Sequence, residues 1–191
     1  ETTGYGKTRV VTGINPQSFS FVMEPGSVFE APEAVMAYSH QGFNGMSQGM
    51  HKFVREHVVR GVWKKKERPV LLNSWEASYF DINERKLLNL AKAGKEAGIE
   101  LFVMDDGWFG VKYPRLTDNC ALGDWEVDRN KLPNGIGWLV EQAHKHGIKF
   151  GIWIEPEMTN TASELYEKHP DWVLKAPERE VVTGRGGTQL V

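Results

Sequence analysis

Acidic residues and tryptophans fall together repeatedly beyond Pro69, at Trp75-Glu76, at Asp105-Asp106-Gly107-Trp108, and at Trp153 followed by Glu155-Pro156-Glu157. An indole packs its flat face on C–H groups, while an ionised carboxylate accepts hydrogen bonds from hydroxyls. Together they suit a ligand that is apolar on one face and hydroxyl-rich at its edge, as a sugar is. Asp105 and Asp106 are the sharpest candidates. Adjacent residues of a strand point to opposite faces, but a turn at the strand's end brings both to one ligand, and Gly107 lets the backbone turn sharply there. The plainer use is one carboxylate capping the loop and the other in water. Two acids directly after a buried strand are poorly placed for solubility alone, which favours a ligand. Trp75 and Trp153 fit core packing as well as stacking, and their place at strand ends moves them towards stacking. Glu155 and Glu157 flank Pro156, which holds the loop extended, so each is suited either to a hydroxyl or to a Lys or Arg partner. Asp124 and Trp125 sit on a long loop, as an outer wall or, more simply, as packing for the loop itself.

Other chemistries find no support. The six histidines show no paired ligand spacing, and His144 and His146 at a helix end answer to the helix dipole and to solvent. No metal and no cofactor are expected. No Gly-x-Ser-x-Gly stands at a strand-to-helix turn, since Gly45-Met46-Ser47-Gln48-Gly49 falls within the helical period of residues 44–61; Cys120 has no evident base, and phosphate-binding loops are absent. Twenty-three Lys and Arg against 25 Asp and Glu leave a formal charge of −2, with no block of like charge to meet nucleic acid or a membrane surface. No apolar run reaches the roughly 18 residues that span a bilayer. Residues 1–6 lack the basic start and apolar stretch of a signal peptide. A single cysteine excludes an intrachain disulfide framework and fits a reducing, cytoplasmic setting. At 191 residues, 40% of them hydrophobic and 25% charged, the chain has the composition of a folded globular protein.

The elements that must position these residues form a repeated strand, loop and helix beyond Pro69, the signature of α/β architecture with parallel strands. Strands are predicted over 69–75, 99–104 and 148–154, and helices over 83–97, 137–146 and 163–169. Leu101-Phe102-Val103-Met104 is a continuous apolar run, expected in a strand covered on both faces. Each acidic and aromatic group follows one of these strands, so the chemistry gathers at one edge. In a barrel of parallel strands the active site is built at the carboxyl ends. An open dinucleotide-binding sheet is disfavoured, because the first strand-to-helix turn has no Gly-x-Gly-x-x-Gly. Closing a barrel takes eight units in about 250 residues, so the sequence reads as a piece of a longer protein. Thr188-Gln189-Leu190-Val191 reads as the opening of another strand.

Before Pro69 the pattern differs. Short extended runs at 9–14, 19–24 and 35–38, broken by Asn15-Pro16 and Pro25-Gly26, read as antiparallel strands, and Ser18-Phe19-Ser20-Phe21 alternates as a half-buried strand does. Residues 44–61 change period: Met46, Met50, Phe53, Val54 and His57 share one helical face, as in a connecting helix.

The ordered set Asn73-Ser74-Trp75-Glu76-Ala77, Phe102 to Gly110 with its Asp-Asp-Gly-Trp, Leu122-Gly123-Asp124-Trp125, Lys131 to Gly135, and Gly151 to Met158 closely resembles the α-galactosidases of glycoside hydrolase family 36. Residues 32–34 and 42–47 resemble that family's exit from its amino-terminal β-domain, so the likeness covers nearly the whole chain. It implies a large amino-terminal β-sandwich, a catalytic (β/α)8 barrel and a carboxyl-terminal β-domain, commonly as a tetramer. The implied fold class is a partial (β/α)8 TIM barrel of three units over residues 68–191, preceded at 1–67 by strands of a β-sandwich and the connecting helix. The resemblance gives Asp105 and Asp106 the galactose 4- and 6-hydroxyls, makes Trp75 and Trp153 walls of the same subsite, and sets Arg185 near the sugar. It further implies retaining hydrolysis of terminal α-galactosides such as melibiose or raffinose by two aspartates. Neither is expected here, because the nucleophile follows a Lys-Trp-Asp at the fourth strand, beyond Val191. Related readings are an α-N-acetylgalactosaminidase, a galactosyl transferase of the family, or a carbohydrate-binding relative without the catalytic pair.

Overall fold

The structure, a computed structural model, describes residues 2–17 and 19–191 and divides into two compact units, Glu1–Glu67 and Arg68–Val191. In the first, helix α1 spans Gly42–Phe53 and widens into a π-helical turn at Val54–Val58. It is shorter than the predicted 44–61, and a separate 3-10 turn follows at Gly61–Lys64.

The antiparallel strands expected at 9–14, 19–24 and 35–38 are not formed among the described residues, and Ser18 lies outside them. Pro25-Gly26 does turn the chain, with Ser27 N donating to Glu24 O at 3.0 Å and Gly26 at φ +83°. Across that turn the rings of Phe21 and Phe29 meet, with centroids 4.7 Å apart. An extended segment becomes a strand only when a partner lies alongside in register, and no such ladder forms here among the described residues.

The second unit is α/β. Strands β1 (Leu71–Asn73), β2 (Leu101–Met104) and β3 (Lys149–Ile152) form one parallel sheet in that order, with Leu72 opposite Phe102 and Phe102 opposite Phe150. A short helix α2 (Trp75–Ser78) follows β1, and α3 (Glu84–Glu96) and α4 (Gly135–Lys145) cover the sheet. Asn83 caps α3, its side chain accepting Lys86 N at 3.0 Å. Gly98 (φ +91°) and Gly147 (φ +69°) release the chain after α3 and α4 in the left-handed conformation that a helix exit favours.

Alternation along β2 sets the core. Phe102 and Met104 are fully buried against Leu87, Ala91, Leu139, Ala143 and Ile148. Leu101 and Val103 point the other way and stay half-buried, so the cover expected on both faces is complete on one and partial on the other.

The terminal segment also departs from expectation. Gln189–Leu190 is strand β5, but it pairs antiparallel with β4 (Thr159–Asn160) rather than extending the parallel sheet. The last helix, α5, spans Glu164–Lys168, with Ser163 as its cap accepting Tyr166 N at 3.0 Å.

Candidate functional site

The site is built from the carboxyl ends of the three strands. At the end of β1, Asn73 Oδ1 accepts Trp75 N at 2.7 Å, which turns the chain at once into α2. Trp75 therefore opens a helix rather than closing the strand, and its ring meets Tyr79 and Phe80 edge-on, with centroids 5.1 and 5.0 Å away. Buried Ser74 stitches β1 to β2: its N donates to Val103 O at 3.0 Å and its Oγ accepts Asp105 N at 3.0 Å.

After β2 each acid folds back on the next amide. Asp105 Oδ1 accepts Asp106 N at 2.8 Å, and Asp106 Oδ1 accepts Gly107 N at 2.6 Å. Gly107 sits at φ +100°, and a Cβ there would stand 3.0 Å from Phe80 Cα, so conformation and space both require glycine.

Asp106 is held by a residue far from it in kind and place. Arg115, wholly buried, donates Nε to Asp106 Oδ1 at 2.9 Å and Nη2 to Oδ2 at 2.8 Å. Its Nη1 donates to Cys120 O at 2.7 Å and Asn160 Oδ1 at 3.1 Å. Such a two-pronged, charge-assisted pair is the geometry for which a guanidinium is suited and an ammonium is not. Beneath it, Lys131 Nζ donates to three backbone oxygens, of Phe80 (2.9 Å), Gly107 (2.7 Å) and Arg115 (2.9 Å). Burial pushes this ammonium below its ordinary pKa of 10.5, against the pull of Asp128 and Asp106.

After β3, Trp153 N donates to Met104 O at 2.9 Å and Trp153 O accepts Trp108 Nε1 at 3.0 Å. Its ring lies in a cluster with Phe109 and Trp125.

These pieces enclose a polar pocket of about 330 Å³ lined by Trp75, Asp105, Asp106, Trp153, Ile154, Glu155, Glu157 and Arg185. All five residues singled out from the sequence, Asp105, Asp106, Trp75, Trp153 and Arg185, come together in it, and Glu155 and Glu157 join them. Burial, then neighbouring Glu157, raises the Glu155 carboxyl above its ordinary 4.5, with Arg185 pulling the other way. Arg185 stands at the rim, its side chain 70% exposed and its Nη1 3.8 Å from Asp118 Oδ1. Asp124 lies elsewhere: its oxygens accept Glu164 N (2.8 Å) and Leu165 N (2.9 Å), tying the loop to α5. Trp125 packs on Phe109 with centroids 4.5 Å apart, and Cys120 is a loop thiol donating to Pro114 O at 3.3 Å.

Sequence reasoning gave no role to Asn73, Arg115, Lys131 or Asn160. A polar Asn directly after Val70-Leu71-Leu72 was a usable sign that β1 ends in a functional turn. A lone Arg in a long loop carries no such sign.

The arrangement presents acceptor-only carboxylates on the floor, indoles at the sides and a cation at the rim, which suits a neutral polyhydroxylated ring. Comparison with known proteins points the same way. A family model described as Melibiase matches residues 28–191. The chain is 51% identical to the α-galactosidase AgaA of Geobacillus stearothermophilus over all 191 residues, which is 26% of that protein. It is 45% identical to Mel36A of Lactobacillus acidophilus over 181 residues, 95% of this chain and 24% of that one. The AgaA crystal structure superposes with a TM-score of 0.88 over 94% of this chain and 24% of its own, at 52% identity. An α-galactosidase from Lactobacillus brevis superposes at 0.90 over the whole of this chain and 25% of its own, at 45% identity. Variants of AgaA have been crystallised with stachyose and with raffinose. The chain thus spans about a quarter of the length of these relatives. With 164 consecutive residues (28 to 191 inclusive) inside the family model, the chain belongs to the melibiase family, the glycoside hydrolase family 36 of these α-galactosidases.

Proposed function

We propose that this chain supplies the galactose-binding part of a retaining α-galactosidase that removes terminal α-linked galactose from sugars such as melibiose, raffinose or stachyose. What carries the reading is one pocket, assembled from three strand ends and lined by Asp105, Asp106, Trp75 and Trp153, in a chain 51% identical over its full length to an α-galactosidase. Residues 68–191 are then the first three units of a (β/α)8 barrel. Residues 1–67 are the end of a β-sandwich whose strands find their partners in sequence outside this chain. The longer protein works in the cytoplasm as a tetramer without a cofactor.

In this reading Asp105 and Asp106 accept hydrogen bonds from the galactose 4- and 6-hydroxyls. Bond accounting favours unequal shares. An ionised carboxylate offers about four acceptor positions. Asp106 uses three of them, on Gly107 N and twice on Arg115, leaving one on Oδ2. Asp105 uses two, on Asp106 N and Asn73 Nδ2, leaving one on each oxygen. A site of fixed acceptors rejects a sugar whose hydroxyl points elsewhere, because buried oxygens are then left unpaired. Trp75 and Trp153 give the C–H faces an apolar surface, and Arg185 donates at the rim.

Retaining hydrolysis needs a nucleophile and an acid/base about 5 Å apart. Asp105 and Asp106 are committed to binding and to their own hydrogen bonds, so that pair is assigned to later strands of the barrel. The test is hydrolysis of a chromogenic α-galactoside by the protein of relatives' length that carries this chain, with the 191-residue chain alone as control. Turnover by the longer protein and none by the chain is expected. No turnover by the longer protein overturns the activity, and turnover by the chain alone overturns the placement of the catalytic pair.

A further inference from the structure

Asn160 is fully buried and uses its amide completely. Its Oδ1 accepts Arg115 Nη1 at 3.1 Å and Leu122 N at 3.0 Å, and its Nδ2 donates to Asp118 O at 3.0 Å and Thr188 O at 3.1 Å. Thr188 directly follows the turn Arg185–Gly187. The guanidinium that grips Asp106 is thus one amide away from the turn that carries Arg185. Asp118 closes a second path, with its Oδ1 3.6 Å from Arg115 Nη2 and 3.8 Å from Arg185 Nη1.

We propose that Arg115 and Asn160 are positioning residues of the sugar site, which tie the carboxylate on its floor to the Arg185 turn at its rim so that both are set at one spacing. The proposal rests on the α-galactosidase reading. Neither side chain lines the pocket, so each acts through another residue. Arg115 consumes three of the four acceptor positions of Asp106 together with Gly107 N, and so decides which oxygen a hydroxyl meets. Asn160 fixes the other end of the same guanidinium and the carbonyl beside the rim turn. Simple fold maintenance needs only that the buried charges be paired. A continuous link from floor to rim adds that a change at Arg115 is felt in sugar affinity.

The experiment uses the protein of relatives' length. Arg115→Lys keeps the charge and loses the fork together with the bond to Asn160. Galactose affinity by calorimetry, KM and kcat on an α-galactoside, and melting temperature are measured for it alone and combined with Asp106→Asn. Galactose affinity is expected to fall at least tenfold and KM to rise in step, with kcat changed less. In the Asp106→Asn background the same change should cost little more, because the oxygen it orients is already altered. A lowered melting temperature with wild-type affinity and KM, or losses that simply add in the double variant, would overturn the proposal. Asp118→Asn, at a partly exposed position, decides the matter if Arg115→Lys does not fold: about a two- to fivefold rise in KM at an unchanged melting temperature supports the link, and an unchanged KM refutes it. Wild type that binds no galactose would sink the α-galactosidase reading itself, whereas wild type that binds and variants that bind equally well sink only this inference.

Discussion

Asn73 Nδ2 donates to Asp105 Oδ2 at 2.5 Å, joining the carboxyl ends of two neighbouring parallel strands by one side-chain bond. The same amide's oxygen starts α2 by accepting Trp75 N. One residue therefore sets both an acid and an indole of the pocket. Asn73→Ala should weaken galactose binding in the longer protein by about tenfold or more, the scale of a hydrogen bond to a charged group. Asn73→Asp should do worse, by setting like charges together. Titration calorimetry checks this, and an unchanged affinity in Asn73→Ala would remove Asn73 from the site.

The two adjacent aspartates should separate when each is changed to Asn. Both variants lose affinity and catalytic efficiency, since a charged hydrogen bond to a hydroxyl is worth about 1.5–3 kcal/mol. Only Asp106→Asn also takes from the buried Arg115 its nearer carboxylate, leaving Asp118 at 3.6 Å, a loss on the order of 3 kcal/mol of stability. Thermal unfolding of the pair, beside their kinetics, tests the split. Equal melting temperatures would refute it.

Gly110 marks the tightest backbone approach near the site. It lies at φ +91°, and a Cβ would fall 2.3 Å from Tyr113 O and 2.7 Å from Ala121 Cβ. The oxygen is backbone and cannot swing away. Gly110→Ala is expected to cost on the order of 3 kcal/mol, read as a shift in the denaturant midpoint at constant slope. A midpoint within error of wild type would show that the loop yields.

Glu155 gives a pH dependence with a definite sign. Its pKa is raised in the folded state, by burial and then by Glu157, above the ordinary 4.5. Between those two values the folded protein holds the proton more than the unfolded chain does, so this group's contribution to stability falls as pH rises through the window. Glu155→Gln mimics the protonated form and should raise the melting temperature at neutral pH. The gain should vanish below the ordinary carboxylate range. A gain independent of pH would place its origin elsewhere.

The 191-residue chain expressed by itself should associate. Its three-stranded sheet leaves β1 and β3 as edges, and Leu71, Ile152 and Ile154 at those edges are exposed. Unpaired backbone beside apolar side chains invites another chain. Light scattering across a dilution series should show a mass that falls with concentration. A concentration-independent monomer with one sharp, reversible unfolding transition would contradict this.

What the sequence determined by itself was local. Strand, loop and helix recur in the predicted order because apolar period and cap chemistry act over a few residues: Asn83 and Ser163 start α3 and α5, and Gly98 and Gly147 follow α3 and α4. The acids and indoles were legible for the same reason, since each follows a strand that its own pattern reveals. Contacts between residues distant in the chain were set by the fold. Arg115 meets Asp106 nine residues away and Asn160 forty-five away, and Lys131 gathers three carbonyls from two connections, that of Phe80 and that of Gly107 and Arg115. Residues 189–190 read as a strand, yet their direction and partner, antiparallel to Thr159–Asn160, were fixed by where the chain had already gone. The runs at 9–14, 19–24 and 35–38 read as strands and form none among the described residues, because a strand-like pattern specifies a face to bury and says nothing of the neighbour whose backbone must complete the ladder.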